Sequence, residues 1–187
     1  MKRLLFFWLL ASPILIFSQC LEGDCKQGEG RFKFKNGTYV GQFSQDALNG
    51  QGFFFTKKGY SYDGDWIGGL KSGIGKEIIK KTFSYEGEFN NNLRHGKGFA
   101  ILPDSKYMQE TTYSGQWDYG IPCGEGELLY SREVKYGRAK VLEKNHLIGS
   151  FINGIYQGRQ TSLYVDELTW TSFGLKMENF QEYKDLT

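Results

Sequence analysis

One five-residue pattern recurs four times: Tyr39-Val-Gly41-Gln-Phe43, Tyr62-Asp-Gly64-Asp-Trp66, Tyr85-Glu-Gly87-Glu-Phe89 and Tyr113-Ser-Gly115-Gln-Trp117. In every copy the residue eleven positions after the Tyr is Gly, with a second Gly two further on: Gly50 and Gly52, Gly73 and Gly75, Gly96 and Gly98, Gly124 and Gly126. Successive tyrosines are 23, 23 and 28 residues apart, which places a five-residue insertion within Pro103 to Glu110. A unit this short cannot enclose a core of its own, so the chain must be an array in which each repeat is completed by its neighbours. The pattern frays at both ends. Gly28 and Gly30 are the tail of a half-repeat, and Leu147, Gly149, Phe151 and Gly158 form a degraded fifth copy that reads as a cap.

Alternation sets the local structure. In a strand, residues two apart share a face, so Tyr39, Gly41 and Phe43 point one way and Val40 and Gln42 the other. Asn36-Gly37 and Asn49-Gly50 are dipeptides that favour tight hairpins, and the Gly-x-Gly pair is expected to open the second strand of each unit. The fold class read from this is all-β: an elongated antiparallel array of β-hairpins with an aromatic ladder on one face. Thr161 to Phe173 is rich in β-formers and is read as one or two further strands, and Leu175 to Leu186 as a short capping helix.

The repeated residues resemble the MORN repeat family, whose unit has about this length and whose core is Tyr-x-Gly-x-Trp/Phe followed by Gly-x-Gly. The resemblance runs from Gly28 to Gly158, with departures at the insertion before Tyr113, at Pro122-Cys123 and in the eroded fifth copy. It implies a module for binding proteins and, for some relatives, membrane lipid. Relatives join such repeats to lipid-kinase or methyltransferase domains, but the 29 residues after Gly158 are too few for either.

The chain begins with Lys2 and Arg3, an uncharged apolar stretch from Leu4 to Phe17, then Ser18, which reads as a secretory signal peptide over residues 1–18. The expected organisation is signal 1–18, N-terminal segment 19–27, repeat array 28–158 and capping segment 159–187, in an exported chain, periplasmic or secreted. The whole sequence holds 23 Lys+Arg against 21 Asp+Glu, so loss of Lys2 and Arg3 would leave the remainder formally neutral. That balance argues against nucleic acid, which needs a concentrated basic face. Lys76, Lys80, Lys81, Arg94 and Lys97, interleaved with Glu77, Glu86 and Glu88, read as a solvated strand face.

Cys20 and Cys25 lie close together, whereas Cys123 is four repeats away, so Cys20–Cys25 is the expected disulfide. Lipidation of Cys20 is less favoured, because Phe17-Ser18-Gln19 lacks the small residues expected before a lipidated Cys. His95 is read as a polar turn residue. A Cys123–His95 thiol centre lacks a third group to orient the base, and Asp63, Asp65, Glu86 and Glu88 read as solubilising the outer face. No metal or cofactor is expected.

Three functions remain. The first is a non-catalytic interaction or scaffold module in the cell envelope or outside, docking a protein partner on the aromatic face of Tyr39, Phe43, Tyr62, Trp66, Tyr85, Phe89, Tyr113 and Trp117. Against this stands the alternative that most of these rings simply pack each other. The second is association with membrane lipid. The third is carbohydrate binding or hydrolysis, with rings stacking sugars beside carboxylates.

Overall fold

The computed structural model describes residues 19–136 and 139–158. The predicted signal, the predicted strands after Thr161 and the predicted helix after Leu175 lie outside the described residues. Twelve strands follow in chain order: β1 Gln19–Gly23, β2 Gly28–Lys33, β3 Thr38–Ser44, β4 Ala47–Phe55, β5 Tyr60–Ile67, β6 Leu70–Ile79, β7 Phe83–Asn90, β8 Leu93–Ile101, β9 Gln109–Asp118, β10 Ile121–Tyr136, β11 Ala139–Ile152 and β12 Ile155–Tyr156. They form one antiparallel sheet in sequence order. All-β architecture and a hairpin array are what the repeat period requires.

Register explains why glycine recurs. The central glycines pair across every strand boundary from β1 to β11, through Gly23, Gly30, Gly41, Gly52, Gly64, Gly75, Gly87, Gly98, Gly115, Gly126 and Gly149. This row is a seam without side chains running the length of the ribbon. Each repeat tyrosine lies flat over it. A Cβ on Gly52, Gly75, Gly98 or Gly126 would collide with the ring of Tyr39, Tyr62, Tyr85 or Tyr113 respectively. The hydroxyls donate to backbone carbonyls three residues on, Tyr39 to Gln42 at 2.9 Å and Tyr85 to Glu88 at 2.9 Å, so a buried polar tip is satisfied.

The first glycine of each Gly-x-Gly pair has a different role. Gly50, Gly73, Gly96 and Gly124 adopt φ of 71°, 57°, 55° and 56°, a region glycine enters without Cβ strain. They sit where the register of the hairpin shifts, as β-bulges rather than turns. This corrects the sequence reading: Asn49-Gly50 lies inside β4, and the hairpin turn is Gln45-Asp46, with φ of 51° and 61°. Equivalent two-residue turns fall at Gly68-Gly69, Asn91-Asn92, Tyr119-Gly120 and Asn153-Gly154 along one long edge of the sheet. Each is stitched to the preceding hairpin by an amide, as from Gly69 to the Leu48 carbonyl at 2.9 Å and from Asn92 to the Lys71 carbonyl at 2.9 Å. His95 therefore belongs to β8 and not to a turn.

The opposite long edge holds the loops 34–37, 56–59, 80–82 and 102–108. The five-residue insertion expands the last of these, which buries Leu102 and Met108. At the N-terminus, β1 pairs only with β2, and a Cys20–Cys25 disulfide with Cα atoms 5.9 Å apart ties β1 to the following turn.

Candidate functional site

The eight rings of the aromatic ladder are the core of the molecule. Tyr39, Tyr62, Tyr85 and Tyr113 are 0–1% exposed, and Phe43, Trp66, Phe89 and Trp117 are 1–6% exposed. Each tyrosine meets its own repeat's ring edge-on, Tyr62 to Trp66 at 5.1 Å, and also the next repeat's, Tyr62 to Phe89 at 4.9 Å. The same double contact recurs from Tyr39 to Phe151. Such pairs contribute about 0.5–1.5 kcal/mol each beyond area burial. Trp66 Nε1 donates to the Gly52 carbonyl at 3.0 Å and Trp117 Nε1 to that of Gly98 at 3.2 Å. Burial pushes the Tyr39 phenol up to about 12 and raises those of Tyr62, Tyr85 and Tyr113, so the phenols stay neutral near pH 7. The rings spend their surface on one another, and a docked segment would meet little of them.

The same face carries a buried charge cluster that sequence reasoning assigned to solvent. Glu77 is 4% exposed. It stands between Tyr62 and Tyr85 in the register, where Phe54, Ala100 and Leu128 stand in other repeats. Its carboxylate accepts from Lys71 Nζ at 2.5 Å, from Arg94 at 2.8 and 3.1 Å and from the Tyr60 hydroxyl at 2.9 Å. Lys71 Nζ lies 5.0 Å from the centre of the Phe89 ring, and the Arg94 guanidinium 4.4 Å from that of Phe83. Burial alone would raise the Glu77 carboxyl, but the two cations outweigh it and hold it below the usual carboxylate range. Burial also holds the Lys71 ammonium below its ordinary value, against the pull of Glu77. The signal was legible in an extended alignment. Two residues after the second repeat glycine come Phe54, Glu77, Ala100 and Leu128, and two before the first come Leu48, Lys71, Arg94 and Pro122.

The outer face is where solvent meets the sheet. Its residues beside the glycine seam include Val40, Phe53, Asp63, Lys76, Glu86 and Phe99, paired in that order across successive strands. Lys76 and Glu86 approach to 3.2 Å. Of the carboxylates read as solubilising, Asp65 and Glu88 instead brace the bulges: Ile74 N–H donates to Asp65 at 2.8 Å and Lys97 N–H to Glu88 at 2.8 Å. Gln42 accepts likewise from Gln51 N–H at 3.1 Å. In these three repeats the fourth residue, Gln42, Asp65 or Glu88, supplies the acceptor that a bulge amide needs.

His95, Asp118 and Cys123 share one outer-face groove. His95 Nδ1 is 3.3 Å from an Asp118 oxygen, so the orienting third group that the sequence reading found missing is present. The sulfur is not equipped as a nucleophile. Burial, with Asp118 adding to it, raises the Cys123 thiol, and no hydrogen bond joins it to His95 among the described residues.

With this geometry in place, comparison with known families is direct. The MORN repeat matches residues 26–38, 39–59, 62–80, 85–106 and 113–132, together about half of the chain. The chain belongs to the MORN repeat family, whose repeats generally serve in protein or membrane interaction and are typically non-catalytic. No curated protein matches the chain significantly.

Proposed function

We propose that this chain is a non-catalytic interaction module, working in the cell envelope or outside the cell, that presents the outer face of a rigid hairpin ribbon to a protein partner. The observation that carries this reading is the division of apolar side chains between the two faces. The repeat aromatics are consumed by the core, yet Val40, Phe53, Phe99 and Ile101 remain 40–46% exposed on the opposite face. Phe53 and Phe55 stack at 5.3 Å beside Val40. Phe99 and Ile101 form a second apolar island, separated from the first by Asp63, Lys76 and Glu86. Apolar groups rimmed by charge on a continuous sheet surface are the composition of a docking surface. A Cys20–Cys25 disulfide and the leader-like first eighteen residues support an oxidising, exported setting.

The test is crosslinking in the native cell with wild type against Phe53→Ser plus Phe99→Ser. Both sites face solvent, so the variant should keep the wild-type circular dichroism spectrum. Loss of the crosslinked species supports the outer face; an unchanged set of crosslinks excludes it. Tyr62→Ala plus Tyr85→Ala would not test docking, since those rings are core.

A further inference from the structure

Mapping charge onto the ribbon's two long edges reveals a separation that the overall balance conceals. Lys33, Lys35, Lys57, Lys58, Lys80, Lys81 and Lys106 all fall in, or next to, the loops of one edge, and all are exposed. None of the seven takes part in an ion pair among the described residues. The acid within these loops is Asp104, which accepts from the Glu110 amide at 2.8 Å. Across the sheet the turn edge carries Asp24, Asp46 and Asp118, with Lys26 as its cation. Successive loops on the lysine edge are two strands apart, so the charges recur about every 10 Å and the row from Lys35 to Lys106 extends about 30 Å.

We propose that this lysine edge binds an extended acidic segment of a protein partner. Four features select that occupant. The cations are lysines, point charges that match carboxylates without the bidentate geometry for which arginine is used. The loops offer no row of apolar anchors, so recognition is by charge density rather than side-chain shape. Tyr107 is the one exposed aromatic among them, too little stacking surface for a single-stranded nucleic acid. Sheet twist of roughly 20–25° per strand turns each loop about 45° from the last, so a planar membrane meets part of the row while a flexible chain follows all of it. An extended segment of about nine residues spans the row. The outer-face islands described above are a separate surface, and either site can fail without the other.

The probe is a fluorescein-labelled peptide of twenty glutamates, followed by anisotropy with the purified protein at low and at physiological ionic strength. Two variants carry the same change in net charge: Lys35→Glu/Lys57→Glu/Lys58→Glu/Lys106→Glu on the edge, avoiding the strained turn at Lys80-Lys81, and Lys26→Glu/Arg31→Glu/Lys76→Glu/Lys97→Glu elsewhere. The expected result is that Kd rises about tenfold or more in the edge variant, less than about threefold in the other, and steeply with salt. Equal weakening in both variants would reduce the effect to net charge and overturn the proposal, as would absence of binding at low salt. Tighter binding at equal ionic strength to phosphatidylglycerol vesicles or to a sulfated polysaccharide would overturn the acidic-segment assignment.

Discussion

The junctions between successive repeats share a backbone and differ in chemistry. At the first, Phe54 fills the slot between Tyr39 and Tyr62, and Leu48 stands opposite Phe43. At the second, Glu77 fills the slot between Tyr62 and Tyr85, with Lys71 opposite Trp66 and Arg94 opposite Phe89. The glycine seam and the flat tyrosines determine the shape of the slot. What occupies it is constrained chiefly by volume and by satisfaction of polar atoms. A carboxylate is tolerated because two flanking slots supply cations and Tyr60 supplies a hydroxyl. The charged junction consequently depends on several residues at once, whereas the apolar one rests on each side chain separately.

Removing one member should expose that dependence most sharply. Glu77→Ala takes from Lys71 the carboxylate that neutralises it, and breaking a buried pair this way should cost about 3–5 kcal/mol in urea unfolding. Phe54→Ala, at a half-buried apolar slot, should cost about 2 kcal/mol. An equal or larger cost for Phe54→Ala would erase the distinction between the junctions. The converse experiment makes the second junction resemble the first. Lys71→Leu/Glu77→Phe/Arg94→Leu should be neutral to about 4 kcal/mol more stable than wild type, because the desolvation of three charges disappears together with their attraction. A marked loss of stability would show that the ion cluster holds the ribbon in register in a way apolar packing cannot.

Acid separates the junctions a third way. The folded-state pKa of Glu77 lies below its ordinary value of 4.5, so the folded protein holds fewer protons on this group than the unfolded chain does. Its stabilising contribution is complete above pH 4.5 and is lost as pH falls from there through the folded pKa. The difference in Tm between wild type and Glu77→Gln should therefore be constant from pH 7 to about 5 and shrink below it. A gap that widened on acidification would reverse the assigned direction.

Much of this was readable in the sequence, and what was not has physical causes. Four copies of one pattern in register implied the hairpin array, and alternation put the tyrosines and Phe/Trp on one face. Asn36-Gly37 does lie in the β2–β3 connection, but the next turn was misplaced because Asn49-Gly50 is a strong hairpin dipeptide, yet φ > 0 is also what a bulge needs; the real turn, Gln45-Asp46, has no glycine to advertise it. Glu77 and Arg94 were assigned to solvent because charge suggests exposure, and only register reveals that they share the tyrosine face. Sequence spacing hid Asp118 from His95, which are 23 residues apart but adjacent across β8 and β9. The lysine edge escaped notice for the same reason, its members being gathered by topology.

The smallest predicted effect concerns a feature that three repeats share. The amide after the bulge glycine, of Gln51, Ile74 or Lys97, donates to the side chain of the residue after the central glycine of the Tyr-x-Gly motif. In the second repeat Asp65 accepts from Ile74 N–H at 2.8 Å, and its other oxygen receives the Gln51 side-chain amide. Asp65→Ala leaves the Ile74 amide to water, which reaches it because Ile74 is 59% exposed. The cost should then lie near the low end for a lost hydrogen bond, about 1 kcal/mol. Asn, which keeps an acceptor oxygen, should recover about half of it. Hydrogen exchange at the Ile74 amide gives the sharper readout: it should accelerate in Asp65→Ala while the amide of Lys97, braced by Glu88 one repeat away, stays protected. Acceleration at both amides would mean that the bulges open together, and the repeats could no longer be treated as units completed by nearest neighbours alone.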